Sequence, residues 1–381
     1  MRGVCKMTWT QAPRPGALRS EACPIKALVS KIEEMLVRKE SSGKATSHEN
    51  PLAEVKSRTA FRRALLKWYD ANKRDLPWRK NRDPYRVWLS EIMLQQTRVA
   101  AVIEKYNQFL TSFPNVEALA AAPQPAVLAA WSGLGYYRRA RALHDAARII
   151  TQDLHGKFPH TAEAWRELPG IGRYTSAAIA SIAFNEKAAV VDGNVERVVE
   201  RLLGRRLPTT EVWAFAEGLL SPQRPGDFNQ AMMELGATVC IPGEPKCLLC
   251  PVAKLCKTRG NLPGGAKSAK LTKTTVFYSL DHTDGKVRLT QRSKQASVMP
   301  AMWELPEIAV PSSRGGSSPK VWLKLRHGIM TTDYDVRVVC APLVASVGKR
   351  VPGRRIPVSE LNTIPLTGLA RKILRAAQIL D

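Results

Sequence analysis

The sequence predicts an all-α domain followed by a smaller α+β domain, and three observations carry that reading. Apolar residues recur at helical spacing from about Arg58 to Lys257. Cys240, Cys247, Cys250 and Cys256 close that stretch inside one 17-residue window. Beyond a Gly- and Lys-rich connector the apolar period falls to two, as in half-buried strands. A length of 381 residues suits about two or three domains.

Residues 1–55 hold Pro13, Pro15, Pro24, Pro51 and the stretch Ser41-Ser42-Gly43, and read as a flexible basic extension with a short helix around Ala27–Arg38. Residues 56–257 form the all-α domain. Phe61, Leu65, Leu66 and Tyr69 make one apolar stripe; Trp88, Leu89, Ile92, Met93, Leu94, Val99, Val102, Ile103 and Tyr106 make another. Alanine-rich runs at 118–122, 140–147 and 177–183 favour helix. Pro114, Pro123, Gly133, Gly135, Pro159, Pro169, Gly170 and Gly172 punctuate the pattern. Helices are expected over Ser176–Phe184 and Val195–Leu203. Residues 258–270 read as a linker and 271–381 as the α+β domain. There Val276, Tyr278 and Leu280 alternate, Asp284-Gly285 offers a hairpin turn, and Val287 and Leu289 continue. A further strand pair is expected at 319–327 and 334–343, then a helix over 359–380.

Lys and Arg number 58 against 33 Asp and Glu, a net charge of +25. Such an excess points to a polyanion, nucleic acid first, with a plain solvated basic surface as the bland alternative. No apolar run is long enough for a transmembrane helix, and the N-terminus lacks the pattern of a secretory signal. Clustered cysteines without an export signal point to a reducing compartment, the cytoplasm and its nucleoid for a bacterial chain.

The gaps between the cysteines are six, two and five residues. Four thiolates this close can hold an iron–sulfur cluster or a zinc ion. Zinc sites usually pair their ligands as two close couples, whereas here only Cys247 and Cys250 are a couple, which favours a compact cubane, one 4Fe-4S cluster. The segment Leu168-Pro169-Gly170-Ile171-Gly172-Arg173-Tyr174-Thr175 is a Gly-x-Gly turn opening a helix. Free N–H groups at the helix start, with glycines that let a ligand approach, make an anion site suited to a DNA phosphate. A tight helix–helix turn is the simpler reading of the same residues.

That hairpin, followed by the cysteine loop, resembles the helix-hairpin-helix DNA glycosylases of the endonuclease III superfamily. Leu76-Pro77-Trp78-Arg79, Pro84-Tyr85, Trp88 to Thr97, Gly133-Leu134-Gly135-Tyr136-Tyr137-x-Arg139-x-Arg141 and Val191-Asp192-Gly193-Asn194-Val195 narrow the resemblance to the adenine DNA glycosylase (MutY-type) family. It covers about 60–257 densely and 275–306 loosely. Excising a purine needs a proton on the leaving base and a negative group beside the sugar cation, which two differently tuned carboxyls can supply. Glu91 lies in an apolar helical stretch where burial would raise its pKa, although a surface carboxylate has the same local signature. Asp192 opens a helix, which favours its ionised form, and is equally a plain N-cap.

The resemblance implies that Glu91 protonates adenine and manages the attacking water, while Asp192 stabilises the sugar cation. It implies that Tyr174 and Asn194 position these carboxyls, and that Gln96 and Tyr136 fill the stack left by the flipped base. Gly170, Gly172 and Arg173 would contact DNA, and Cys240, Cys247, Cys250 and Cys256 would hold the cluster, with Lys246, Lys254, Lys257 and Arg259 near phosphates. Bifunctional relatives carry a lysine where this chain has Tyr174, so a monofunctional glycosylase is expected. Thr275–Leu280, Arg288–Arg292 and Met302-Trp303-Glu304-Leu305-Pro306 resemble the Nudix-like domain these enzymes use to read 8-oxoguanine. The acidic Nudix signature is absent. The family's Phe-Ser-His turn is also missing: Arg326-His327 is followed by Gly328-Ile329-Met330-Thr331-Thr332-Asp333, with Ile329, Met330 and Thr331 expected in the turn. The expected partner is double-stranded DNA carrying A:8-oxoguanine or A:G, bound by a monomer away from membranes. The alternatives are a related glycosylase of different base choice and a non-catalytic mismatch-binding protein.

Overall fold

A computed structural model of the protein describes residues 52, 54–263, 272–308, 321–329, 332–340 and 353–380. The helix expected at 27–38 lies outside these residues, as does most of the basic extension. The described part of the first domain is helical throughout, with α1 at Val55–Asn72, α2 at Pro84–Leu94, α3 at Val99–Ser112, α4 at Val116–Ala121, α5 at Gln124–Ala130 and α6 at Arg138–Gln152. It continues with α7 at Ala162–Arg166, α8 at Arg173–Phe184, α9 at Gly193–Leu203, α10 at Thr209–Leu219 and α11 at Pro225–Thr238.

Local chemistry sets the starts of these helices. Asp83 caps α2 by accepting from the Arg86 N–H, and Pro84 occupies its first position. Asn115 caps α4 and Thr161 caps α7 in the same way. The helix expected from Ser176 starts three residues earlier, at Arg173, because the Gly172 carbonyl already accepts from the Ser176 N–H. The stripe from Trp88 to Tyr106 is broken at 95–98, where Gln96 adopts a left-handed backbone, φ 55°. The apolar period runs through that break, so α2 and α3 read as one helix in sequence.

Two hydrophobic cores divide the domain. Trp88, Tyr106, Phe109, Trp131 and Trp165 anchor one, built from α2 to α8. Phe61, Leu65, Val199, Phe228 and Leu235 anchor the other, built from α1 and α9 to α11. Met233 packs against both and so marks their seam. The helices α8 and α11 approach closely at Gly226, where an added Cβ would meet the Ser181 carbonyl and lie 2.7 Å from the Ile182 Cα.

The C-terminal region carries its own core and two small sheets. One has the order β5 (Glu307–Ile308), β1 (Thr272–Leu280), β7 (Thr332–Cys340), β6 (Val321–Ile329), with β1 and β7 parallel and the other pairs antiparallel. The other has β3 (Lys286–Gln291) beside β2 (His282–Thr283) and β4 (Trp303–Glu304), with β8 (Arg354–Pro357) also on β3. The turn expected at Asp284-Gly285 joins β2 to β3, both residues at positive φ. Ile329 pairs with Thr332 and therefore belongs to β6 rather than to the turn; Met330 and Thr331 lie outside the described residues. The C-terminal helix is shorter than expected: α12 spans Gly368–Ala376, capped by Thr367. Pro365 lies just upstream and lacks the N–H that a longer helix would need.

This region packs onto the helices. Met302 is fully buried in the first helical core. The Tyr137 hydroxyl donates to the Leu366 carbonyl at 2.9 Å, and Arg371 Nε donates to Ser132 Oγ at 2.9 Å. Arg141 Nη2 donates to the Pro300 carbonyl at 2.6 Å. No helix among the described residues is long and apolar enough to cross a membrane.

The close approach at Gly226 yields a direct test. Gly226→Ala should lower stability by about 1–3 kcal/mol, because backbone faces the new methyl and two helices must separate. Urea denaturation measures this, and an unchanged midpoint would show that α8 and α11 yield freely.

Candidate active site

The seam between the two cores opens as a cavity of about 550 Å³ lined by Glu91, Tyr174, Asp192 and Asn194. Glu91, near the end of α2, belongs to the first core's side; Asp192, at the start of α9, belongs to the second. Trp78, Val87 and Leu94 supply apolar wall around Glu91.

Glu91 is 6% exposed. Burial pushes its carboxyl up to about 7, the Tyr174 hydroxyl and the Arg79 charge acting against that rise and the Asp192 charge adding to it. Tyr174 Oη donates to Glu91 Oε2 at 2.9 Å and lies 3.1 Å from Met233 Sδ. Burial raises the Tyr174 phenol well above its usual range, with the two carboxylates adding to it, so this hydroxyl remains a donor at neutral pH.

Asp192 is held by three donors. Its Oδ1 accepts from the Asn194 N–H at 3.0 Å and the Val195 N–H at 2.8 Å, and its Oδ2 accepts from Asn194 Nδ2 at 2.9 Å. Asp192 is the α9 N-cap, and it faces the cavity. Asn194 is fixed in turn by Arg197, whose Nη2 donates to Asn194 Oδ1 at 2.8 Å and to the Gly236 carbonyl at 2.7 Å. Arg197 Nε also donates to the Cys240 carbonyl at 2.8 Å, so one guanidinium links the cysteine loop to the partner of Asp192.

Sequence reasoning missed two parts of this site. Glu234 lines the cavity, almost fully buried, and is clamped by Arg74 Nε at 2.7 Å and Arg79 Nη2 at 2.8 Å. Burial alone would raise its carboxyl, yet the two guanidiniums hold it at about 2. The other missed part is Arg197. The partners of Glu234, and the Gly236 and Cys240 carbonyls that Arg197 reaches, are distant in sequence, and the only local signal was a charge on a helix.

The hairpin turn joins α7 to α8. Gly170 has φ 76°, and a Cβ there would lie 2.6 Å from Ala142 Cβ, so packing as well as backbone requires glycine. Gly172 faces open space, and α8 begins without a side-chain cap, leaving its first N–H groups accessible. Arg173 turns away toward α10: its guanidinium stacks on Trp213 at 3.9 Å and pairs with Glu217 at 3.0 Å. Gln96 and Tyr136 are both exposed and both left-handed, whereas the neighbouring Tyr137 ring is buried in the core.

The four cysteines are free, half-buried, and line one small cavity with Arg201, Arg259 and Gly260. Arg201 Nη1 donates to Cys240 Sγ at 3.4 Å, and the Arg259 N–H donates to Cys256 Sγ at 3.5 Å. Burial and the neighbouring sulfurs push the Cys250 thiol up to about 11. Together these sulfurs would be stable as thiolates only around a cationic centre. Among the described residues, no three His, Cys, Asp or Glu side chains converge tightly enough for a single metal ion.

Comparison with known proteins places this geometry. Residues 89–214 match the family described as HhH-GPD superfamily base excision DNA repair protein. Adenine DNA glycosylase of Rattus norvegicus is 44% identical over 283 residues, covering 70% of this chain and 52% of the relative. Adenine DNA glycosylase of Homo sapiens is 49% identical over 223 residues, covering 55% of this chain and 40% of the relative. The chain thus spans about half the length of these curated relatives or less. Among solved structures, a thermostable thymine-DNA glycosylase is 34% identical with a TM-score of 0.51, covering 54% of this chain and 97% of that one.

The burial of Glu91 makes stability depend on pH in a defined sense. Its folded pKa of about 7 lies above the usual carboxyl value of 4.5, so the folded state holds the proton more tightly. Stability from this group is full below about 4.5 and declines as pH rises through about 7, by about 3 kcal/mol in all. Glu91→Gln should therefore melt near the wild-type temperature at pH 5 and clearly above it at pH 8. A melting difference that does not change with pH would show that the carboxyl does not titrate in this range.

Proposed function

The chain belongs to the HhH-GPD superfamily of base-excision DNA repair proteins, in its MutY-type adenine DNA glycosylase family, and we propose that it is a monofunctional adenine DNA glycosylase acting as a monomer on double-stranded DNA. The observation that carries this is the pair of carboxyls on one cavity, Glu91 buried and protonatable near neutrality, Asp192 fixed by N–H donors at a helix start. Its substrate would be adenine opposite 8-oxoguanine or guanine.

In this mechanism the flipped adenine enters the cavity and neutral Glu91 gives its proton to a ring nitrogen of the base. The N-glycosidic bond breaks, its electron pair leaving with the base, and the Asp192 carboxylate stabilises the sugar cation. Water then adds to the sugar carbon while its proton returns to Glu91. Tyr174 holds Glu91, and Asn194 holds Asp192. A phenol cannot form a Schiff base with the sugar, which supports base removal without strand cleavage. Gln96 and Tyr136, exposed on their turns, would occupy the gap in the stack, and the open N-terminus of α8 at Gly172 would take a phosphate.

Two finer assignments belong to this proposal. The cysteine loop would hold one 4Fe-4S cluster at Cys240, Cys247, Cys250 and Cys256, where it would act structurally; the shared cavity and the N–H donors aimed at sulfur support that. The C-terminal sheets would form a Nudix-like lesion reader. The altered segment after His327 would weaken its preference for 8-oxoguanine, since one good hydrogen-bonding contact is worth about 1–3 kcal/mol.

Single-turnover release of adenine from duplexes carrying A:8-oxoguanine, A:G, A:C and A:T tests the activity. Release is expected from the first two, falling as pH rises through about 7 because Glu91 then loses its proton, abolished in Glu91→Gln, and without borohydride-trapped adduct. Release of thymine instead, or none at all, would favour one of the alternatives.

Cys247→Ser addresses the cluster. The wild type should be brown with about four irons per chain, and the variant should lose colour, melting temperature and DNA affinity together. A colourless protein carrying one zinc would replace the cluster by a zinc site.

A further inference from the structure

One half-buried cation in the helical domain is used by nothing described so far. Arg139, in the first turn of α6, belongs to the Gly133–Arg141 motif. Its Nη1 donates to the carbonyls of Ile92 at 2.8 Å, Met93 at 3.1 Å and Gln95 at 2.6 Å. Its Nη2 donates to Thr97 Oγ1 at 3.2 Å and to the carbonyls of Leu134 at 3.0 Å and Gly135 at 3.3 Å. Among the described residues no carboxylate bonds it.

These acceptors come from two separate turns. Gln95 and Thr97 flank Gln96, and Leu134 and Gly135 precede Tyr136. The guanidinium also lies 5.4 Å from the ring centres of both Trp131 and Tyr136, and Trp131 Nε1 donates to the same Gly135 carbonyl at 3.1 Å. Gln96 at φ 55° and Tyr136 at φ 46° hold a conformation that non-glycine residues keep only where the surroundings over-determine it. Arg139 supplies those surroundings on both sides. It also serves as the C-cap of α2, whose final carbonyls would otherwise be orphaned close to Glu91.

We propose that Arg139 is a positioning residue that ties the Gln96 turn to the Gly133–Tyr136 turn, so that both side chains enter the base stack as one unit of fixed spacing. The proposal rests on the glycosylase reading and deepens it. A lysine would keep the charge but present one ammonium in place of a planar fork, so it cannot hold two turns at once.

The test compares wild type with Arg139→Lys on duplexes with 2-aminopurine beside the target adenine. Wild-type binding should raise the fluorescence as the target base unstacks. In Arg139→Lys the rise should be lost and single-turnover excision should fall about 100-fold, the scale of a misplacement near 1 Å. Duplex affinity should change by less than about 3-fold, since phosphate contacts, which dominate affinity, are untouched. On an unpaired, bulged adenine, where extrusion is already easy, the excision deficit should shrink to about 10-fold or less. Wild-type fluorescence and rate in the variant would overturn the proposal, and so would equal deficits on paired and bulged adenine. If Arg139→Lys does not fold, Thr97→Val decides by removing one acceptor: a partial loss of the fluorescence rise supports the proposal and a full rise overturns it. A wild type that releases no adenine sinks the glycosylase reading instead, and the fluorescence comparison still judges Arg139.

Discussion

Two carboxyl groups on one cavity cannot both be charged without repelling one another, and the structure depends on how that conflict is settled. Glu91 is placed where water is scarce and Asp192 where N–H donors converge, so the same residue chemistry meets two different environments. This requires the two to come from different walls. The first core offers the dry side, with Trp78 and Val87 lining the cavity beside Glu91; the second offers a helix start. Tyr174 keeps its proton beside Glu91 because both neighbours are acidic and the site is dry. Glu234 adds a third carboxyl to the wall, and the Arg74 and Arg79 clamp prevents it from competing for the proton.

Arg197 and Arg139 solve a related problem. Each reaches carbonyls some forty residues away in the chain, Arg197 at the end of α11 and the start of the cysteine loop, Arg139 at the end of α2. Carbonyls at helix ends have no partner within their own helix, and a guanidinium can take several in one plane. Elements that already share a core thereby also gain a polar tie at their ends.

Much of this was legible in the sequence, and the omissions have physical causes. Asp192 could be read as a helix start because capping is a local property, and the structure gives α9 that start. Glu91 could be read as buried because Ile92, Trp88 and Leu94 surround it within one turn of helix. Tyr136, the ring expected to fill the stack, is exposed, and its neighbour Tyr137 is buried. The break at 95–98 left no trace, since the group that meets its carbonyls is Arg139, more than forty residues away. The overlong C-terminal helix was avoidable: Pro365 and Thr367 announce the true start. Glu234 and Arg197 were hidden because a charge on an amphipathic helix looks the same whether it meets solvent or a partner far along the chain.

Met302 has a consequence for modularity. It comes from the C-terminal region yet is buried in the first helical core, beside a strap formed by the Tyr137 hydroxyl on the Leu366 carbonyl. A helical domain expressed without that region would carry a methionine-sized void, a defect of about 2–5 kcal/mol on the scale of large-to-small core changes. The two regions therefore cannot be recombined at will with counterparts from relatives. A graft that changes the C-terminal region must bring a residue shaped for this socket, so the helical domain restricts which such regions can evolve with it.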